Sequence, residues 1–260
     1  MSTVRQAAVA GTFYPGDPRT LTHMVDELLD AAPPPTTNPK ALIAPHAGYV
    51  YSGPVAATAY RQLSAQSGTT RRVLLLGPSH RVPFAGLALS SADRYATPLG
   101  DVAIDTGACQ ELLRLPRVGV LDEAHREEHS LEVHLPFLCA VLEEFLLIPV
   151  VVGDAKPDDV SQVIETFWDR EDTLIVVSSD LSHFLDHETA TRVDRETSRA
   201  IEHHAQTIQP QQACGCRAVN GLMRVAENRA LEVTTLDLRN SGDTAGGRSR
   251  VVGYGAYALS

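Results

Sequence analysis

Four stretches of this chain are short and apolar, the last of them rich in β-branched residues, with no helical or alternating period. They are Lys40 to Ala44, Arg71 to Leu76, Leu146 to Val152 and Thr173 to Ser178. Strands buried on both faces of a parallel sheet read this way. Between them lie stretches of helical period. Residues 18–31 place Leu21, Val25, Leu28 and Leu29 on one face, with Asp17 or Thr20 to cap and Pro18 in the first turn. A second helix is expected from Ser52 or Pro54 to about Leu63, and a third over 106–115. An apolar helix should run from near Pro136 to about Phe145. Residues 157–168, 187–205 and 210–227 complete the set. Strands alternating with helices imply right-handed crossovers. The expected fold class is α/β, a single domain with a mostly parallel central sheet flanked by helices.

Other segments break this rhythm. Residues 4–18 form a leader interrupted by Gly11, Pro15, Gly16 and Pro18, and 31–39 is a stiff proline-rich linker. Residues 84–105 suggest short strands and tight turns, a small antiparallel addition on the rim of a site. Residues 231–239 and 250–259 read as two final strands, the last Gly-rich and closely packed.

The chain has 260 residues, enough for one large domain or two small ones with ample core. Its formal charge is −10 and no basic block stands out, which argues against a nucleic-acid partner. The longest apolar stretch, Phe145 to Gly153, is too short to cross a bilayer, and no signal peptide is visible. Cys109, Cys139, Cys214 and Cys216 have no standard metal spacing, although Cys214-Gly-Cys216 could form a tight clip. Free thiols and a cytoplasmic location are expected.

The strand-like runs end in ionisable residues. Ala44 leads to Pro45-His46, Leu76 to Gly77-Pro-Ser-His80, Val152 to Gly153-Asp154, and Ser178 to Ser179-Asp180-Leu-Ser-His183. In open α/β sheets the ligand crevice lies beyond the carboxyl ends of the strands. One histidine there could simply cap a loop; several at one station suggest one site. Two imidazoles and a carboxylate form the facial triad of non-haem Fe(II) sites. Asp180, Asp154, Glu132 and Asp243 are candidate third ligands. Asp180 and His183 are three apart, so a first helical turn would put them on one face, as a metal pair or as an acid–base His with an orienting Asp. Asp180 could equally cap a helix, and for Asp243 the stronger reading of Ser-Gly-Asp is an ordinary turn. His125, His129 and His134 could be a solvated face, while Glu132 and His134 border an apolar helix and one of them could point inward.

Six motifs occur in order: Gly11-Thr-Phe-Tyr-Pro, Ala44-Pro-His-Ala-Gly-Tyr-Val-Tyr-Ser-Gly53, Leu76-Gly-Pro-Ser-His80, Glu128-His-Ser-Leu-Glu-Val-His-Leu-Pro-Phe137, Ser178-Ser-Asp-Leu-Ser-His-Phe184 and Asn240-Ser-Gly-Asp243. The set resembles the Memo family, including the members called AmmeMemoRadiSam system protein B, over nearly the whole chain. That family is similar in fold to the catalytic subunits of class III extradiol dioxygenases, which use Fe(II) and O₂. The resemblance implies one domain over residues 1–260. It implies His46 and His80 as metal ligands, with Asp180 and His183 lining the pocket and His183 as the acid–base group. At the third ligand position animal Memo has a Cys and the dioxygenases a Glu; here that place falls to Asp243. Tyr51, Glu132 and His134 would shape the pocket.

Two functions follow as expectations. One is a non-haem Fe(II) oxidoreductase acting on a small molecule, with Zn or Cu as other possible metals. The other is a non-catalytic protein binding a peptide or metabolite in the same cleft, working with a radical SAM partner that the family name implies. A homo-oligomer is an open expectation for an α/β protein of this size.

Overall fold

The computed structural model describes residues 3–260. In chain order the strands are β1 (Val4–Arg5), β2 (Ala41–Ala44), β3 (Arg72–Pro78), β4 (Leu87–Leu89), β5 (Arg94–Tyr95), β6 (Val102–Ala103), β7 (Val118–Val120), β8 (Leu146–Val152), β9 (Thr173–Ser178), β10 (His183–Leu185), β11 (Val233–Asn240) and β12 (Val251–Leu259). The helices are α1 (Pro18–Ala31), α2 (Tyr49–Arg61), α3 (Thr106–Leu112), α4 (Asp122–Arg126), α5 (Leu135–Val141), α6 (Pro157–Trp168), α7 (His187–Glu202), α8 (Cys216–Arg229) and α9 (Ser241–Thr244).

The four apolar runs form the middle of the main sheet. Its order is β10-β12-β2-β9-β3-β8-β4-β7, with β11 on β12. β2, β9, β3 and β8 are parallel, so their carboxyl ends share one edge. β12 joins β2 antiparallel and β4 joins β8 antiparallel, making the whole sheet mixed. The parallel strands are almost wholly buried, which is why they carry no period-two signal. Helices cover the faces. α1 begins at the Asp17 cap, whose carboxylate accepts from Thr20 N at 2.9 Å, and buries Leu21, Val25 and Leu29. Each such burial contributes roughly 1.5–3 kcal/mol.

Several boundaries differ from expectation. α2 starts at Tyr49, directly behind Gly48, and contains Pro54. α5 stops at Val141, and α8 starts at Cys216 after a run of turns. Residues 84–105 split between two sheets. β4 extends the main sheet, while β5 and β6 form a small sheet with β1. That small sheet is not on the rim of the strand-end crevice. Ile104 bridges Leu147 at the amino end of β8, opposite the crevice. Among the described residues, no helix is long and apolar enough to cross a membrane.

Candidate metal centre

β2 and β3 flank β9, so the loops after β2 and β3 carry His46 and His80 to either side of Ser178. A third loop, from α4 to α5, brings His129 to them. One ligand atom from each of His46, His80 and His129 lies within 4.8 Å of the others. The His80 and His129 rings stack at 4.6 Å, and the His46 ring meets them edge-on at 5.1 and 5.5 Å.

Hydrogen bonds fix two of these rings. Ser178 Oγ donates its one proton to Ser130 O at 2.6 Å. It therefore accepts from His46 Nδ1, 2.6 Å away, which leaves Nε2 of His46 as the nitrogen that carries the lone pair. His46 is buried, and burial with His80 and His129 nearby holds its pKa well below the ordinary value, so the ring is neutral. His80 is held by Glu128. Glu128 Oε1 lies 2.8 Å from His80 Nδ1, and Oε2 accepts from His80 N at 2.6 Å. Oε1 also accepts from His129 N and Ser130 N. Burial pushes the Glu128 pKa up, but the His80 contacts and these donors outweigh it and bring it to about 2. An ionised carboxylate on Nδ1–H leaves His80 Nε2 as the ligating atom, the usual arrangement behind metal-bound histidines. Burial, with His80 alongside, lowers the His129 pKa to about 4.

Asp180 and His183 arrive as expected at the end of β9, but not on a helix. Residues 179–182 are a loop leading into the short strand β10. Asp180 does not orient His183. Its Oδ1 accepts from His46 N at 2.8 Å, and its Oδ2 lies 4.0 Å from His46 Nε2. His183 Nδ1 instead faces Leu181 O at 2.8 Å, which leaves Nε2 available. Desolvation raises the Asp180 pKa against the pull of its donors and of His183 and His80. Tyr51, on the first turn of α2, is 43% exposed and near Tyr254.

The remaining expected residues lie elsewhere. Asp243 pairs with His187 at 2.6 Å and accepts from Asn240 N at 3.1 Å. Asp243 is therefore not the third group at His46 and His80; the residue whose ligand atom gathers with theirs is His129. Glu132 is not a pocket wall. It is fully buried and accepts from Arg5, Ala8 N, Val9 N and Tyr14 Oη. His134 is also a core residue, bonded to Tyr60 Oη at 2.8 Å with the two rings 6.0 Å apart. Burial lowers its pKa to about 3. Asp154 pairs with Arg217 at 2.8 Å.

Three residues at the centre were not legible beforehand: Glu128, His129 as a ligand, and Cys214. Cys214 Sγ lies 3.2 Å from His46 Nε2. Gly215 makes this approach possible, since a Cβ there would stand 2.4 Å from Ser178 O. Beside Cys214 is a cavity of about 250 Å³ lined by Ser79, Val82, Phe84, Val152 and Arg217 among others.

A family model described as "Memo-like protein" matches residues 5–258. The chain is 35% identical over 264 residues to a "MEMO1 family protein" of Aquifex aeolicus, covering 96% of this chain and 97% of that one. It is 35% identical over 282 residues to a protein of the same family from Methanopyrus kandleri, covering 98% of each. A "Protein memo-1 homolog" of Caenorhabditis elegans is 33% identical over 236 residues, 88% of this chain and 66% of that protein. Among solved structures, an uncharacterised protein of Escherichia coli K12 shares the fold, with a TM-score of 0.52 and 10% identity over 83% of this chain and 98% of that one.

Proposed function

The chain belongs to the Memo family, and we propose that it holds one divalent metal ion on His46, His80 and His129 and acts as a dioxygenase-like oxidoreductase on a small molecule. The observation that supports this is the convergence of the three rings at the carboxyl edge of the parallel strands. The donor set fits a metal. Imidazole suits iron, copper and zinc, and the bonds to Ser178 and Glu128 engage Nδ1 of His46 and of His80, so that Nε2 of each is the atom to hold a metal. Bound there, Fe(II) would supply Lewis acidity and electron transfer with O₂.

The chain's own groups divide the remaining work. Asp180 fixes the His46 backbone through its N–H, and its raised pKa suits it to carry a proton near neutral pH. His183, turned by Leu181 O, presents Nε2 to accept or return a proton at the substrate. The cavity beside Cys214 would take a small, partly apolar molecule, with Val82, Phe84 and Val152 excluding water from one side. A second reading, zinc-assisted hydrolysis, is favoured by the all-histidine set, which is also that of catalytic zinc sites.

The test is anaerobic loading with Fe(II) or Zn(II), followed by desalting and elemental analysis, on wild type and on His129→Ala. About one Fe(II) per chain, lost in the variant, supports the oxidoreductase reading. Retention of zinc alone favours hydrolysis. No retained metal in wild type overturns both.

A further inference from the structure

Residues 4–14 lie across the two loops that carry His46 and His129. Phe13 packs on the His129 ring at 4.7 Å, and its carbonyl accepts from Tyr49 N at 2.8 Å, just beyond the His46 loop. The strap is fastened by one buried ion pair. Glu132 takes Arg5 Nη1, Ala8 N at 2.8 Å, Val9 N at 3.0 Å and Tyr14 Oη at 2.6 Å. Arg5 reaches further. Its Nε donates to His125 O at 3.0 Å and its Nη2 to Glu128 O at 2.5 Å, while its guanidinium lies 5.0 Å from the Tyr95 ring. One side chain thus grips the segment carrying Glu128 and His129 at three points, before, at and after them.

We propose that Arg5 is a positioning residue of the metal centre, setting where Glu128 and His129 stand relative to His46 and His80. This rests on the metal reading above. A guanidinium is suited to the task because its donors form a rigid planar fork, which can serve three acceptors at fixed angles. A lysine ammonium would keep the charge opposite Glu132 but could not span the carbonyls of His125 and Glu128. The residue acts at a distance: it touches no ligating ring, and its effect passes through the backbone of residues 125–132.

The experiment is Co(II) titration of the metal-free full chain, followed by visible absorption. The proteins are wild type, Arg5→Lys and Arg229→Met. The last loses the ion pairs with Glu165 and Asp169, on elements outside the centre, and reports destabilisation alone. All are kept well below their own melting temperatures. Arg5→Lys is expected to bind Co(II) about three- to tenfold more weakly, with a shifted d–d band, because partners behind metal ligands typically matter at about 10–100-fold and Arg5 stands one step further back. Arg229→Met should show wild-type affinity and spectrum. If Arg5→Lys does not fold, Tyr14→Phe removes one donor from Glu132 and should move the same band by less. A folded Arg5→Lys, or in its place Tyr14→Phe, with wild-type affinity and spectrum overturns the proposal. Wild type that takes up no Co(II) overturns the metal reading, and this one with it.

Discussion

Two histidine–carboxylate pairs stand in different corners of this molecule and look alike in distance. His80 and Glu128 are 2.8 Å apart; His187 and Asp243 are 2.6 Å apart. Their surroundings differ. The Glu128 side chain is 2% exposed and receives three backbone donors as well as the ring. The Asp243 side chain is 31% exposed and belongs to the cap of the short helix α9. Two further imidazoles converge on His80, and among the described residues no comparable cluster forms around His187. The pair by itself is common surface chemistry. Burial, a fixed tautomer and the arrival of other ligands turn one of them into a candidate metal centre.

The largest effect that would break this contrast is expected from Glu128→Gln. Glu128 faces only donors, so an amide in its place must turn its NH₂ toward one of them. A buried mismatch of this kind costs about 1–3 kcal/mol. Loss of the partner behind a metal-ligating histidine typically weakens metal binding by about 10–100-fold. Metal titration with a thermal melt of each protein checks both numbers. A Glu128→Gln protein with wild-type affinity would mean that Glu128 is only a core residue.

That outcome bears on what the sequence could disclose. The stations of His46, His80 and Asp180 were legible because a strand buried on both faces is written locally, as an apolar run, and so is its polar end. The arrival of His129 is written elsewhere. It depends on Glu132 being fastened by Arg5 and Tyr14, more than 100 residues away in the chain, and no periodicity reports that. The same holds for Cys214, which reaches His46 through the close packing at Gly215. β7 and β10 are three residues each, too short for any pattern. Asp243 was placed at the centre by a motif that also reads as local structure, and the fold uses it locally, in the capping box of α9 and paired with His187. Of Glu132 and His134 one is expected to point inward; both do, and inward here means the core.

Acid titration sharpens the same contrast at a smaller scale. Burial and its neighbours leave Glu128 with a folded pKa of about 2 against an ordinary 4.5. A depressed carboxylate contributes stability that is present above the unfolded value and is lost as pH falls from 4.5 toward 2; for Glu128 the whole amount is about 3 kcal/mol. The buried histidines act in another window. Burial lowers His125 and His129 to about 4. The unfolded chain therefore takes up their protons first, and stability declines as pH falls from about 6.5 to 4. Denaturant unfolding of the metal-free protein at stepped pH should show both phases in wild type. In Glu128→Gln the decline above pH 4.5 should persist and that below it should flatten. An unchanged lower phase would show that Glu128 is not held ionised as its donors imply.

The smallest effect is expected from Asp243→Asn. The pair with His187 is partly solvated, so its loss should cost no more than about 1 kcal/mol, as for most exposed ion pairs. Asparagine can still accept from Asn240 N, which keeps the cap of α9. Metal stoichiometry and affinity should match wild type, because no atom of Asp243 stands with the three imidazoles. Elemental analysis after Fe(II) loading measures this directly. A variant that folds normally but loses its metal would require Asp243 to swing away from His187 on loading and complete a His-His-Asp set. The His187–Asp243 corner would then be the resting position of a ligand, and the two pairs would belong to one site.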